Sequence, residues 1–192
     1  EWIRGTPIDS LAKDQTYVVE FWATWCGPCI ENIPHLTELA KQHTGVRFIG
    51  VSILEDNDKR QVQEFVAKMG DKMGYTVGYS GNKDGMATTW MAAAKQSGIP
   101  TAFVVKNGVV MWVGHPTNLA PVLDQLAKGA FDMAASRSAF DADLAAREAR
   151  AREGEQIEEC SRLFDAGDRA AAKEALARIE HTAVHGQQRD RE

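Results

Sequence analysis

Residues 17–23, Tyr-Val-Val-Glu-Phe-Trp-Ala, are almost continuously β-branched or aromatic. Such a run reads as a strand buried on both faces, and strands of that kind belong to parallel sheets covered by helices. A few residues further on, the period changes. From Gly27 or Pro28 onward, Ile30, Ile33, Leu36 and Leu39 recur at three-residue steps and Ala40 follows, while Glu31, Glu38 and Lys41 take the other faces. That is the pattern of an amphipathic helix. Pro34 lies inside it and is expected to kink it, and Gly45 is expected to end it. A buried strand that turns so abruptly into a helix fixes the local architecture. It also places two cysteines, Cys26 and Cys29, in the first helical turn.

The alternation continues along the chain. Residues 46–53 read as a second buried strand. Asp56 or Asn57 is expected to cap a helix running to Met69, with Val62, Phe65, Val66 and Met69 as its apolar stripe. Residues 75–80 read as a short strand, and a helix is expected from about Asp84 to Ser97, carrying Met86, Trp90, Met91 and Ala94. After Gly98, Ile99 and Pro100 comes another strand at 101–106. Asn107-Gly108 reads as a tight hairpin turn into a partner strand at 109–114, and a helix near Leu119 to Lys128 follows. Strands separated by helices imply a parallel sheet, and the hairpin adds an antiparallel edge, so the class is α/β.

A chain of 192 residues, 44% hydrophobic, can hold one domain of average size and a smaller appendage. Composition shifts after Phe131: proline disappears, β-branched residues become scarce, and Ala, Arg and Glu abound. The expected division is therefore 1–131, an α/β domain, and 132–192, a helical extension. Gly154 and Ala166-Gly167-Asp168 are expected to split the extension into about three helices. The stretch 163–180 is similar to one tetratricopeptide-type helix pair, but a single copy does not make a solenoid.

A formal charge of −5 argues against nucleic acid as the main partner. No run approaches the ~18 apolar residues of a membrane span. Three cysteines cannot build a disulfide framework, so stability must come from packing. Zinc would want four ligands. The only other cysteine, Cys160, is alone in the extension, and His35 lies six residues beyond Cys29, off its helix face. His181 and His185 could share a helix face but lack a third ligand, and Cys160 reads as a small packed residue. Neither a metal nor a cofactor is expected.

Redox chemistry does want this arrangement. A thiol at a helix N-terminus faces unpaired N–H groups and the positive end of the helix dipole, both of which favour thiolate. Cys26 is then the attacking sulfur, and Cys29, one turn inside, resolves the mixed disulfide. Gly27 and Pro28 let the turn form without a bulky obstacle, and proline suits a first turn because its missing N–H would be unpaired there.

The chain resembles the thioredoxin superfamily. The residues that carry the likeness are Trp-Cys-Gly-Pro-Cys at 25–29, Pro34 five residues after the second cysteine, and Gly-Ile-Pro-Thr at 98–101 before a strand. Within the superfamily it is most similar to thiol-disulfide reductases of the TlpA and ResA kind. Both the approach to the cysteines over residues 5–29 and the long stretch between Cys29 and Pro100 point that way. The likeness covers residues 1 to about 131. It implies a thioredoxin-like sandwich, a central mixed sheet flanked by helices. Relatives of this kind carry residues before the point where Glu1 begins, so a processed or trimmed N-terminus is expected.

The likeness also implies roles for further residues. Pro100 would be cis and face the cysteines, and Ile99 would offer backbone hydrogen bonds to an extended substrate peptide. Glu20, six residues before Cys26, stands where thioredoxins carry a buried acid. Its pKa would be raised by desolvation, and it would exchange a proton with Cys29. The next strand offers no lysine to pair with it, and Asn32 stands where ResA-type proteins place a Glu. Trp22 is expected in the core, and Trp25 on the substrate surface with Gly27 and Pro28.

The function expected is that of a protein thiol-disulfide oxidoreductase working as a reductase through Cys26-Gly-Pro-Cys29. Its partners would be a disulfide-bearing protein substrate and an upstream thiol donor, in the periplasm or cell envelope, with the cytoplasm as the alternative. The competing reading is a redox-inert binding module whose helical extension docks a partner. A peroxidase is discounted, because it would want a Thr-x-x-Cys site and Thr24 and Cys26 are only two apart.

Overall fold

A computed structural model describes residues 1–56, 58–83 and 85–189, with side chains described to position 179. The His181/His185 pair therefore lies outside the described residues. Contacts divide the chain into two compact units, Glu1–Phe140 and Asp141–Glu192.

The first unit is built on strands β1 (Trp2–Arg4), β2 (Thr16–Trp22), β3 (Val46–Ser52), β4 (Thr76–Tyr79), β5 (Thr101–Lys106) and β6 (Val109–Gly114). They form one sheet in the order β1-β4-β3-β2-β5-β6. β2, β3 and β4 run parallel, while β5, β6 and β1 pair antiparallel with their neighbours. The run at 17–23 thus becomes an inner strand, hydrogen-bonded on both edges and buried on both faces. The sheet is mixed and flanked by helices, as the resemblance implied. The hairpin forms as expected, with Asn107 and Gly108 both at positive φ, the two-residue turn that suits the twist of its strands.

Side chains of β2 alternate between two cores. Val18 and Trp22 pack with Ile33 and Leu36 of helix α1 (Gly27–Gln42), Val62 and Val66 of α2 (Lys59–Met69), and Leu119 and Leu123 of α3 (Leu119–Ala127). Tyr17, Val19 and Phe21 face the other way, with Ile49, Val51 and Phe103. There Phe21, Phe103 and Trp90 form a ring cluster, the Phe21 and Phe103 centroids 5.4 Å apart edge to face and those of Trp90 and Phe103 5.5 Å apart.

Several boundaries differ from the sequence expectation. Helix α1 ends at the C-cap His43, whose N–H bonds the Leu39 carbonyl, before Gly45 is reached. Helix α2 is capped by Asp58, whose carboxylate accepts from the Arg60 N–H, rather than by Asp56; Asn57 lies outside the described residues. The helix expected from about Asp84 to Ser97 reduces to a π-helical turn, Ala87–Met91. Thr88 and Thr89 both turn their hydroxyls onto the Gly85 carbonyl, and Lys95 takes a positive φ. These hydroxyls compete with the helical ladder. The wider turn still delivers Met86, Trp90, Met91 and Ala94 to the second core. Strand β1, too short to show a period, was not expected.

The extension holds two helices rather than three, α4 (Met133–Asp165) and α5 (Arg169–Arg189). Gly154 does not break α4, because a glycine costs a helix only ~1 kcal/mol and good helix formers flank it, Ala151, Arg152 and Glu153 before it and Glu155 and Gln156 after it. Gly167, at φ 83°, makes the turn, and the Asp168 carboxylate caps α5 by accepting from the Ala171 N–H. Within the second unit Ala172 and Ala175 are buried, the half-buried Cys160 thiol donates to the Ala172 carbonyl, and the Arg169 guanidinium lies 4.0 Å over the Phe164 ring.

The ring cluster fixes how the π-turn segment seats on the sheet. Phe103→Ala is expected to destabilise the fold by ~3–5 kcal/mol. Urea unfolding checks this through a lower midpoint at an unchanged slope.

Candidate active site

The two cysteines sit where β2 gives way to α1. Cys26 is the N-cap residue, in extended backbone conformation, and its sulfur accepts the Cys29 N–H at 3.2 Å. The Cys26 carbonyl takes the first helical bond, from Ile30 at 3.0 Å. A disulfide joins the pair, with Cα atoms 5.2 Å apart. Cys26 is 5% exposed and Cys29 0%. The outer sulfur is thus the one an incoming group can reach, and the inner one is enclosed by α1 and the sheet. Gly27 and Pro28 are exposed beside the outer sulfur. Pro34 lies inside α1 and cannot donate to the Ile30 carbonyl.

The loop before β5 comes up to this pair. The Ile99–Pro100 peptide is cis, Pro100 is buried, and the Ile99 carbonyl oxygen lies 3.8 Å from Cys26 Sγ. Thr101 fastens the loop by donating its hydroxyl to the Gly98 carbonyl at 2.8 Å. The motif at 98–101, far from the cysteines in sequence, is therefore beside them in space.

Trp25 is 60% exposed, held by an indole N–H bond to the Leu54 carbonyl at 2.9 Å. Behind it lies a residue that sequence reasoning did not single out. Glu55 is 1% exposed, and its carboxylate accepts the Thr24 N–H at 2.7 Å, the Thr24 hydroxyl at 2.8 Å and the Ser52 hydroxyl at 2.8 Å. Three donors on one buried carboxylate make a rigid tie between the end of β3 and the loop that carries Trp25 and Cys26. In sequence, Glu55 stands next to Asp56 with another acid close behind, and nothing marks it apart.

Glu20 is buried in the opposite sense. It points, with Val18 and Trp22, to the face of β2 covered by α1, and neither of its oxygens has a hydrogen-bond partner among the described residues. Burial pushes its pKa up to about 8. Across the ladders it meets Gly50 on β3 and Ala102 on β5, so no lysine pairs with it. Asn32 is buried and donates its side-chain N–H to the Pro28 carbonyl at 2.9 Å, a contact that steadies the first turn. Among the described residues no group of His, Cys, Asp and Glu has the make-up of a metal site.

Comparison with known proteins agrees with this geometry. A family model described as Redoxin matches residues 5–128. The protein FixW of Rhizobium leguminosarum is 30% identical over 139 residues, which cover 67% of this chain and 61% of FixW. The thiol:disulfide interchange protein HelX of Rhodobacter capsulatus is 36% identical over 95 residues, 50% of this chain and 48% of HelX. The chain thus spans about three fifths or less of these relatives. A thiol-disulfide isomerase of Corynebacterium glutamicum shares the fold, with a TM-score of 0.53 at 19% identity over 66% of this chain and 90% of that one. Family match, fold and paired cysteines lead to one assignment: this chain belongs to the Redoxin family of the thioredoxin superfamily.

Proposed function

We propose that this chain is a protein disulfide reductase that works through Cys26 and Cys29. The observation that carries the reading is the asymmetry of the pair. Both sulfurs lie at one helix N-terminus, yet only Cys26 borders the surface formed by Trp25, Gly27, Pro28 and the Ile99 carbonyl. In the reduced protein, Cys26 attacks a substrate disulfide. Cys29 then attacks Cys26 Sγ, which releases the substrate thiol and leaves the disulfide seen here. An upstream thiol restores the pair. Ile99 presents a backbone carbonyl to an extended substrate strand, and Pro100 shapes that edge.

The direction follows from what stabilises the Cys26 thiolate. Thr24, Trp25, Gly27 and Pro28 bring no positive charge. The helix N-terminus and the Cys29 N–H supply the stabilisation. Behind the loop the Thr24 N–H is bonded to the Glu55 side chain, which brings no positive charge to the cysteine either. A thiolate of moderate stability makes the disulfide a weak oxidant. Such a reductase has work to do where disulfides form, so we place it in the periplasm or cell envelope, with the cytoplasm as the alternative. No helix among the described residues is long and apolar enough to cross a membrane. The proposed redox domain is 1–131, with 132–192 as its helical extension.

Glu20 is the proton partner of Cys29. When an external thiolate opens the disulfide at Cys26, Cys29 leaves as a thiolate and needs a proton. A carboxyl with its pKa near 8 is mostly protonated at neutral pH and can give one. In the reverse step the Glu20 carboxylate takes the proton back as Cys29 attacks.

Insulin reduction with Cys26→Ser as control tests the activity, and a wild-type protein as inert as that control would favour the binding-module reading. Cys29→Ser is expected to accumulate mixed disulfides with substrate, and Cys26→Ser is not; equal alkylation rates for the two thiols at neutral pH would contradict the assignment. Equilibration with glutathione buffers is expected to give a potential nearer the roughly −270 mV of a reducing thioredoxin than the roughly −120 mV of a strong oxidant. A pair that stays reduced where ordinary protein disulfides persist would reverse the direction.

The raised pKa of Glu20 has a stability sign as well. The folded state holds this proton more tightly than the unfolded chain, so stability falls as pH rises from about 4.3 through about 8. Glu20→Gln is expected to gain on wild type over that window, by on the order of a few kcal/mol above it. Urea unfolding at acid and alkaline pH measures the difference, and a gap that does not widen with pH would place the carboxyl in water.

A further inference from the structure

Beside Glu20 the structure gathers polar atoms that the cysteine chemistry does not by itself require. Gly50 stands directly across the β2–β3 ladder from Glu20. A Cβ there would come within 2.8 Å of the Tyr75 ring (Cε2) and 3.2 Å of the Trp22 indole nitrogen. The room left by the missing side chain is therefore where Tyr75 and Trp22 converge, next to the carboxyl. The Tyr75 hydroxyl and the Trp22 indole N–H are buried and, like both oxygens of Glu20, have no hydrogen-bond partner among the described residues. Native proteins pair nearly all such groups, with protein or with ordered water. Two donors and a carboxyl around one glycine make a polar cell in an otherwise apolar core.

We propose that Tyr75 is the positioning residue for Glu20: its hydroxyl, together with the Trp22 indole N–H, binds one internal water that donates to the Glu20 carboxylate whenever Cys29 has taken its proton. This rests on the reading of Glu20 as the proton partner of Cys29. In the step concerned, an incoming thiolate bonds to Cys26 Sγ, and the Cys26–Cys29 bond breaks with its electron pair on Cys29 Sγ. The Glu20 proton moves to that sulfur. A bare carboxylate is left in the core, where hydrogen bonds to the charged form are what keep it accessible. The neighbouring strand offers Gly50 rather than a lysine opposite Glu20, and Tyr75 fills the space.

The surroundings favour Tyr75 for this part. On the α1 face, β3 brings Gly50 and β5 brings Ala102, and α1 brings the cysteines, Asn32 and apolar residues. No lysine, arginine or histidine is buried among the described residues. Arg4 and Arg47 line with Tyr75 an open cleft of about 390 Å³. Tyr75 is held well above its ordinary pKa, first by burial and then by the charge of Glu20, so the phenol keeps its proton and remains a donor throughout the cycle.

The test is a carbon-13 NMR titration of the oxidised protein, with the Glu20 carboxyl signal assigned by its loss in Glu20→Gln. In wild type the signal is expected to titrate near pH 8. In Tyr75→Phe its midpoint is expected to rise by about one pH unit, the loss of one hydrogen bond to a charged group. In wild type the Tyr75 Cζ signal is expected to step at the same midpoint, and the step is expected to vanish in Glu20→Gln; this second readout stands even if Tyr75→Phe does not fold. A midpoint unmoved to within about 0.3 unit, or a Tyr75 signal that stays flat while Glu20 titrates, overturns the proposal. Neither measurement requires reductase activity, so an inert protein with a coupled pair would refute the proposed function while the Tyr75–Glu20 coupling stands, and an active protein without the coupling would refute this inference alone.

Discussion

The structure depends on β2 being paired on both edges. With β3 on one side and β5 on the other, the strand has no freedom to shift register without turning its whole apolar set to the wrong face. Three consequences follow from that fixed register. Trp22 ends the strand at a set height, so Cys26 begins α1 at a set place. Pairing with β5 brings Thr101 level with Phe21 and thereby sets the preceding cis-proline loop against the cysteines. Glu20, an even-numbered residue of the strand, is committed to the same face as Trp22 and Cys29.

Two buried carboxyls lie close to the cysteine-bearing strand and loop in different surroundings. Glu55 accepts three hydrogen bonds and acts as a fixed tie. Glu20 accepts none among the described residues, and burial pushes its pKa up to about 8. The difference lies in what the chain brings to each. The Thr24 amide and hydroxyl with the Ser52 hydroxyl surround one, while an apolar layer and a glycine surround the other.

How much of this could be read in the sequence depended on how far each feature was local. The inner strands β2, β3 and β5 declared themselves through continuous β-branched runs. The helix after the cysteines did so through its apolar steps, and the 107–108 turn through Asn-Gly. The segment after β4 did not, because the threonine hydroxyls at 88 and 89 bend a helix-like pattern into a wide turn. Strand β1 is three residues long and exists only because β4 offers it an edge. At the site, the cysteines were legible from spacing, and Pro100, Ile99 and Glu20 from resemblance. Glu55 and Tyr75 were not, since their importance arises from partners that only the fold brings near.

The place of Cys26 as the N-cap of α1 carries a last implication. The sulfur proposed to exchange bonds is also the acceptor that closes the helix against the Cys29 N–H. Thiolate, mixed disulfide and internal disulfide all keep a sulfur lone pair at that position. The helix start therefore has an acceptor in every chemical state of the cycle, and turnover need not unravel and rebuild the first turn. In the proposed cycle the reacting sulfur and the structural cap are one atom, and the backbone can stay still while the covalent bonds around it change.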